Sequence, residues 1–222
     1  MIEKTLHEPT LTVPAASLVA TPPDVPHWQL SLPRLTGWLV TLREFRADDA
    51  PALLAAVGSD AVSRLISPPP STIGGMEAFI KRTHAQRENG QSIVFAVQAR
   101  GFDTVIGLFQ VRSLDKDFET AEWGFALSSE FWGTGAFQDA ARLVLDFAFD
   151  VIGVRRLEAR AVMRNGRGNG ALQKLGAVHE AVLRRSFLRN GEYFDQALWA
   201  LERGDHRRRR EAAFDPRSGS IH

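Results

Sequence analysis

Residues Glu130 to Ala140 read EFWGTGAFQDA, a Gly-x-Gly turn set directly before a long amphipathic stretch. Gly133 and Gly135 carry no Cβ and take positive φ at no steric cost, so successive amide N–H groups in this turn can close around an anion where a helix begins. The helix is read over Phe137 to Phe149. Phe137, Ala140, Ala141, Val144, Leu145 and Ala148 recur at helical spacing, while Gln138, Asp139, Arg142 and Asp146 fall elsewhere. Gly153 is placed to stop it.

On the upstream side, Thr120 to Leu127 alternates Trp123, Phe125 and Leu127 against Glu122, Gly124 and Ala126, and downstream Arg156 to Val162 alternates again. Strand, glycine turn, helix and strand make a right-handed parallel crossover, with the ligand end at the carboxyl end of the first strand. Taken alone, a Gly-x-Gly pair also fits a plain tight connection. The expected ligand is a phosphate, and two common kinds are excluded. No Gly-Lys-Ser or Gly-Lys-Thr is present for a P-loop, and WGTGAF lacks the third glycine of the dinucleotide fingerprint.

The chain has 222 residues, 24% charged and 44% apolar, with a net charge of +1, which fits one globular domain with extensions. The absence of cysteine excludes disulfides, cysteine-ligated zinc and a cysteine acyl-enzyme, and it suits a reducing, cytoplasmic setting. Apolar runs fall short of the ~20 residues a membrane span needs. Residues 1 to 35 carry Pro9, Pro14, Pro22, Pro23, Pro26 and Pro33 and read as an extended arm anchored by Trp28 and Leu30, not as a signal peptide. At the other end, residues 204 to 222 hold Arg207 to Arg210 and Arg217 with no aromatic interleaved among them, and read as a basic, solvated and disordered tail.

Between these ends the pattern is a strand from Leu39, a helix from Asp48 or Asp49 with Pro51 in its first turn, and a loop over Ser67 to Gly75. A helix then runs from Met76 to Glu88 and closes at Asn89-Gly90. Strands Ser92 to Ala99 and Val105 to Arg112 form a hairpin. After the crossover come a short helix over Gly168 to Leu175 and a closing hairpin, Val178 to Arg189 and Glu192 to Leu201, turning at Asn190-Gly191.

Trp132 to Arg203 resembles the GNAT superfamily of acyl-CoA N-acyltransferases, and within it the branch of ribosomal-protein-alanine N-acetyltransferases. WGTGAFQDA is similar to the family's coenzyme A pyrophosphate loop, and GVRRLEARAV (Gly153 to Val162) to the strand after the crossover helix. RNGRGNGALQKLGAVHEAVLRRSFLRNGEYFD (Arg164 to Asp195) is similar to its Asn-led helix and closing hairpin. Leu39 to Val57 and Gly75 to Gln98 resemble the opening elements more loosely. The resemblance implies an α/β domain over residues 36 to 203, with a mixed, mostly antiparallel sheet, a splayed parallel pair of fourth and fifth strands, and about four flanking helices. It implies acetyl-CoA as co-substrate and no metal. The pyrophosphate would sit on Phe131, Trp132, Gly133, Thr134, Gly135 and Ala136, the pantetheine arm along Phe125, Ala126 and Leu127, and Asn165 at the arm or the reacting centre. It also raises an alternative for the basic tail, a weak contact with RNA or the ribosome.

Several positions depart from the family pattern. Glu130 stands where an arginine or glutamine is common, and is expected to face solvent. Thr134 is either a hydroxyl donor or a turn residue, and Asn165-Gly166 is also a good N-cap pair. The branch's serine and the tyrosine of other members fall at Gly168 and Leu172, its glutamate falls at Phe187, and the only tyrosine is Tyr193. General-base candidates are Glu122, ranked first, then His179, Glu180 and Asp195. The alternative for Glu122 is a surface carboxylate paired with an arginine such as Arg156. Pro68 to Pro70 either stiffen a wall of the acceptor site or act as linker.

The expected reaction is direct attack of a primary amine on the acetyl thioester in a ternary complex, by a monomer or homodimer. At neutral pH an α-amine (pKa ~7.7–8) needs about one unit, ~1.4 kcal/mol, to lose its proton, and a lysine (~10.4) needs over ~4 kcal/mol. A site poor in bases therefore favours a peptide or protein α-amine. The alternatives are a small amine, such as an amino acid or antibiotic, and a non-catalytic acyl-CoA-binding sensor or interaction module.

Overall fold

The computed structural model describes residues 26–64 and 66–214. Its strands are β1 (Leu35–Thr36), β2 (Val40–Glu44), β3 (Ser92–Ala99), β4 (Val105–Ser113), β5 (Thr120–Leu127), β6 (Arg156–Val162), β7 (Val178–Arg189) and β8 (Glu192–Glu202). They form one eight-stranded sheet in the order β1-β2-β3-β4-β5-β6-β8-β7. Every neighbouring pair is antiparallel except β5 and β6. The helices are α1 (His27–Leu30), α2 (Ala50–Val57), α3 (Asp60–Ser63), α4 (Ile73–Glu88), α5 (Ala136–Asp146), α6 (Gly166–Leu175) and α7 (Arg203–Phe214). The expected α/β class, mostly antiparallel sheet and parallel crossover are all present. The crossover strands are fifth and sixth, because the end of the arm folds back after Pro33 and pairs Leu35 with Leu42.

Helices cover both faces of the sheet, which is why β3 reads SIVFAVQA with almost no polar alternation and is buried along nearly its whole length. Ile93, Phe95 and Val97 join a core with Phe109 and Trp123 and with Ala140, Ala141 and Val144 of α5. Val94 and Ala96 meet Leu53, Met76 and Ile80 of α2 and α4 on the other face. The Phe109 ring lies 6.0 Å from Trp123, 5.5 Å from Phe125 and 5.6 Å from Phe137. Such pairs add about 0.5–1.5 kcal/mol each beyond burial, and they clamp the first turn of α5 against β4 and β5. Asp139 completes the clamp. Its carboxylate accepts from the amides of Leu39 at 2.8 Å and Val40 at 3.1 Å.

The α5 helix continues as a π-helical turn over Phe147–Ile152, and Gly153 caps it at φ 96. The wider turn lets consecutive Phe147, Ala148 and Phe149 all be buried. Within the arm, Trp28 is buried, its ring edge-on to Phe118 at 5.6 Å, whereas Leu30 is 63% exposed and anchors nothing. The rest of the arm, residues 1–25, lies outside the described residues. The expectation of a disordered tail over 204–222 is corrected for 204–214, which are helical as part of α7 (Arg203–Phe214). The physical reason is charge pairing with the end of α5 and the turn after it. His206 Nε2 lies 2.7 Å from Asp146, and Arg210 lies 3.0 Å from Asp146 and 2.7 Å from Asp150. Residues 215–222 lie outside the description. Among the described residues no helix is long and apolar enough to cross a membrane.

Two ion pairs give measurable consequences. The Asp49 carboxylate is buried, accepting from both terminal nitrogens of Arg43 at 2.7 Å and from the Arg46 amide at 2.7 Å. Asp49→Ala leaves the buried guanidinium unpaired, and is expected to lower stability by about 3–5 kcal/mol, read as a lower urea midpoint at unchanged slope. On the hairpin, the Arg156 guanidinium hydrogen-bonds Glu180 and holds its carboxyl below the usual range. A lowered folded value means stability that is present above the ordinary glutamate pKa of ~4.3 and lost as pH falls through the folded value. Glu180→Gln is therefore expected to reduce the loss of stability between about pH 6 and pH 3 in parallel urea titrations.

Candidate active site

Only three residue pairs join β5 to β6: Thr120 with Arg156, Ala121 with Leu157, and Glu122 with Glu158. Beyond them β5 stays paired to β4 as far as Leu127, and β6 stays paired to β8 as far as Val162, so the two strands part and a fork opens. In an antiparallel strand, alternate N–H and C=O groups point away from the partner. Along Trp123 to Leu127 those groups face the fork with no strand to pair with, and at its mouth the Leu127 carbonyl accepts from the Trp132 indole at 3.0 Å.

At the mouth of the fork the chain makes a short 3-10 turn over Ser129–Phe131 and then passes through Gly133 (φ 78) and Gly135 (φ 92) into α5. The amides of Phe131 and Trp132 donate to the carbonyls of Ser128 and Ser129. The Thr134 hydroxyl donates to the Phe131 carbonyl at 2.8 Å and accepts from the Ala136 amide at 3.3 Å, so it closes the turn. The amides of Gly133, Thr134, Gly135, Phe137 and Gln138 have no acceptor among the described residues. This leaves a cradle of main-chain donors at a helix N-terminus, lying further toward the helix than the sequence reading placed it. Glu130 is exposed, as its position implied.

A cavity of about 440 Å³ follows the cradle and the fork. Of the expected residues it is lined by Phe125, Ala126, Leu127, Trp132, Gly133, Gly135 and Asn165, and not by Phe131, Thr134 or Ala136. A second cavity, about 750 Å³, lies behind it and contains Glu122, Phe187 and the prolines Pro68, Pro69 and Pro70, which form part of its wall. Phe125, Ala126, Asn165 and Gly168 line both, so the two spaces meet at the fork.

Asn165 caps α6, its side-chain oxygen accepting from the Gly168 amide at 2.9 Å. Asn169 holds α6 in place. Its side-chain nitrogen donates to the carbonyls of Val162 at 3.0 Å and Asn165 at 2.8 Å, and its oxygen accepts from the Trp199 indole at 2.8 Å. The sequence reading passed over Asn169, although an asparagine inside a helix is itself a signal, being disfavoured there unless its amide has partners. Gln138 latches α5 to α6 through the Ala171 carbonyl at 3.2 Å.

Of the four base candidates, Glu122 alone lines either of these two cavities. Its partners are Arg112 at 2.5 Å and Arg160 at 3.8 Å, not Arg156, which binds Glu158 and Glu180. His179 lies against Trp199, and Asp195 accepts from the Arg185 amide. Tyr193 is exposed on the hairpin beneath Arg185. Gly168 and Leu172 line the second cavity without a hydroxyl. Also unforeseen is a recess beside Trp132 lined by Arg64, Arg164 and Arg167, with the Arg167 guanidinium 4.8 Å from the indole centroid. Among the described residues no group of three or more His, Asp or Glu could hold a metal ion.

A splayed parallel pair, a backbone anion cradle at its mouth and a second cavity behind it define a site for moving a group from a phosphate-bearing carrier to an acceptor. Comparison with known proteins gives the family. Residues 40–178 match the family model described as an acetyltransferase (GNAT) domain, and the chain belongs to that family of N-acetyltransferases. It is 24% identical to the uncharacterized N-acetyltransferase p20 of Bacillus licheniformis, over 73% of this chain and 92% of that protein. In fold it is similar to Mycobacterium smegmatis RimJ, solved in complex with CoA-disulfide (TM-score 0.70, 20% identity, 78% of this chain and 88% of that one). It is also similar to the ribosomal-protein-S5-alanine acetyltransferase of Vibrio fischeri (TM-score 0.71, 18% identity, 78% and 98%).

Asn169→Ala removes the side-chain hydrogen bonds to Val162, Met163, Asn165 and Trp199 at once and leaves the Trp199 indole without its partner. It is expected to cost about 1–3 kcal/mol in urea unfolding, against about 1 kcal/mol for loss of the cap in Asn165→Ala.

Proposed function

We propose that the protein moves an acetyl group from acetyl-CoA to a peptide or protein α-amine by direct attack in a ternary complex. The observation that carries this reading is the fork, whose unpaired β5 edge runs from the amide cradle to the point where the two cavities meet. The residues present fit the donor. Five unsatisfied amides suit a diphosphate, and a strand edge suits the two amides of a pantetheine arm. A helix terminus contributes only ~0.3–1 kcal/mol per charge, whereas micromolar affinity needs ~8 kcal/mol, so the edge at Phe125, Ala126 and Leu127 supplies much of the binding. Acetyl-CoA brings an activated thioester carbonyl. Backbone N–H groups of β5 at the fork stabilise the charge that develops on the carbonyl oxygen, and Asn165 keeps α6 closed over that point.

The acceptor enters through the second cavity. Its nitrogen forms the new C–N bond, the C–S bond breaks, and the surplus proton leaves through water. With no hydroxyl at Gly168 or Leu172, the departing thiolate also takes its proton from water. Glu122 is engaged by Arg112 and neighbours Arg160, and in this reading it orients those guanidinium groups. The general-base role is its alternative. The name of the Vibrio fischeri fold neighbour, a ribosomal-protein-S5-alanine acetyltransferase, supports a protein acceptor.

Two measurements test this. Gly135→Ala forces a side chain onto φ 92 with its Cβ 3.1 Å from Leu39, a strain of ~1–2 kcal/mol. It should weaken CoA binding about tenfold by calorimetry, and unchanged affinity removes the cradle from the site. The rate at low acceptor concentration should rise with pH toward the α-amine pKa of ~7.7–8, equally in the wild type and in Glu122→Gln. A limb at much lower pH that disappears in Glu122→Gln assigns the base to Glu122.

A further inference from the structure

The charged residues lining the second cavity are three arginines, Arg82, Arg112 and Arg160, and one carboxylate, Glu122. Three positive charges against one negative leave a surplus of two. Glu122 is committed to Arg112 at 2.5 Å, and its other oxygen lies 3.8 Å from Arg160 Nε, beyond hydrogen-bond reach. Arg82, on the exposed side of α4, has no ion-pair partner among the described residues. The remaining wall mixes apolar residues, Leu53, Met76, Phe79, Phe187 and the three prolines, with the uncharged polar side chains of Ser67, Gln110, Asn165 and Gln196. An amine with a second positive charge would find no free carboxylate here and two unbalanced guanidinium groups. A carboxylate or phosphate would find planar donor forks that match its geometry.

We propose that the acceptor amine carries its own anionic group, a carboxylate or phosphate within a few bonds of the nitrogen, and that Arg82 and Arg160 receive it. This rests on the acetyl-transfer reading and narrows its acceptor. For a peptide the anion is an Asp or Glu side chain following the α-amine, and for a small molecule it is the amino acid's own carboxylate. Basic segments and polyamines are disfavoured in either case.

The test is a panel of acceptors with acetyl-CoA, following free CoA with a thiol-reactive dye, which the protein does not disturb because it contains no cysteine. Peptides of equal length beginning Ala-Asp, Ala-Ala and Ala-Lys are compared with free aspartate and with spermidine. Expected is a kcat/KM about tenfold higher for Ala-Asp than for Ala-Ala, about a hundredfold higher than for Ala-Lys, and a preference that shrinks as salt rises. Arg82→Glu and Arg160→Gln, both at exposed or half-exposed positions, should level the series by raising KM for the acidic acceptor while the CoA dissociation constant stays unchanged. The inference is overturned if Ala-Lys or spermidine reacts as well as Ala-Asp, or if Arg82→Glu leaves the order intact. No product from any amine, with CoA still bound, overturns the acetyl-transfer reading itself and this inference with it. A higher rate for Ala-Asp than for free aspartate assigns the anion to a peptide side chain, and the reverse order to a small amino acid; both support an anionic acceptor.

Discussion

Hydrogen bonding between β5 and β6 stops after Glu122 and Glu158, and the site depends on that stop. A continuous parallel pair would satisfy every main-chain group along Trp123 to Leu127 and leave nothing for a ligand to bind. By parting, the strands leave main-chain donors and acceptors short of the Leu127 carbonyl, which the Trp132 indole takes, without a strand partner inside a packed molecule, a state that backbone chemistry tolerates only where water or a ligand reaches it. The cavity along the fork provides that access.

The rest of the architecture holds the fork open and aims it. The rings of Phe109, Phe125 and Phe137 tie the first turn of α5 to β4 and β5, and Asp139 ties the same turn to the β1-β2 hairpin. The cradle amides are thus fixed from two sides, so an arriving anion meets donors already in place. Across the fork, Asn169 and Gln138 bind α6 to β6, β8 and α5. Charge is arranged in the same economical way. Arg210 of α7 balances the acidic end of α5 and its turn, while the arginines around the second cavity are left in excess over their one carboxylate.

Much of this was legible in the chain itself. The crossover, the glycine cradle, the closing hairpin and its Asn190-Gly191 turn follow from local pattern, because hydrophobic spacing and positive-φ glycine are properties of a few neighbouring residues. The arginine-rich end was misread over 204–214 for the opposite reason. Its order comes from Asp146 and Asp150, some sixty residues earlier in sequence, and no local signal reports such a partner. Asn169 was missed because its value lies in joining Val162 and Trp199, which only the folded chain brings together.

By itself the amino-acid sequence determined the order of elements from the strand near Leu39 to the closing hairpin, the glycine turn at the start of the crossover helix, and the absence of serine, tyrosine and cysteine chemistry at the expected positions. These depend on residue type and near-neighbour spacing. Only the tertiary structure decided that Glu122 is bound to Arg112, that His179, Glu180 and Asp195 lie outside the cavities, and that Arg82, Arg112 and Arg160 converge on one space. Those residues come from a helix and two separate strands. Their joint charge is a property of how the sheet and α4 pack, which no stretch of sequence contains.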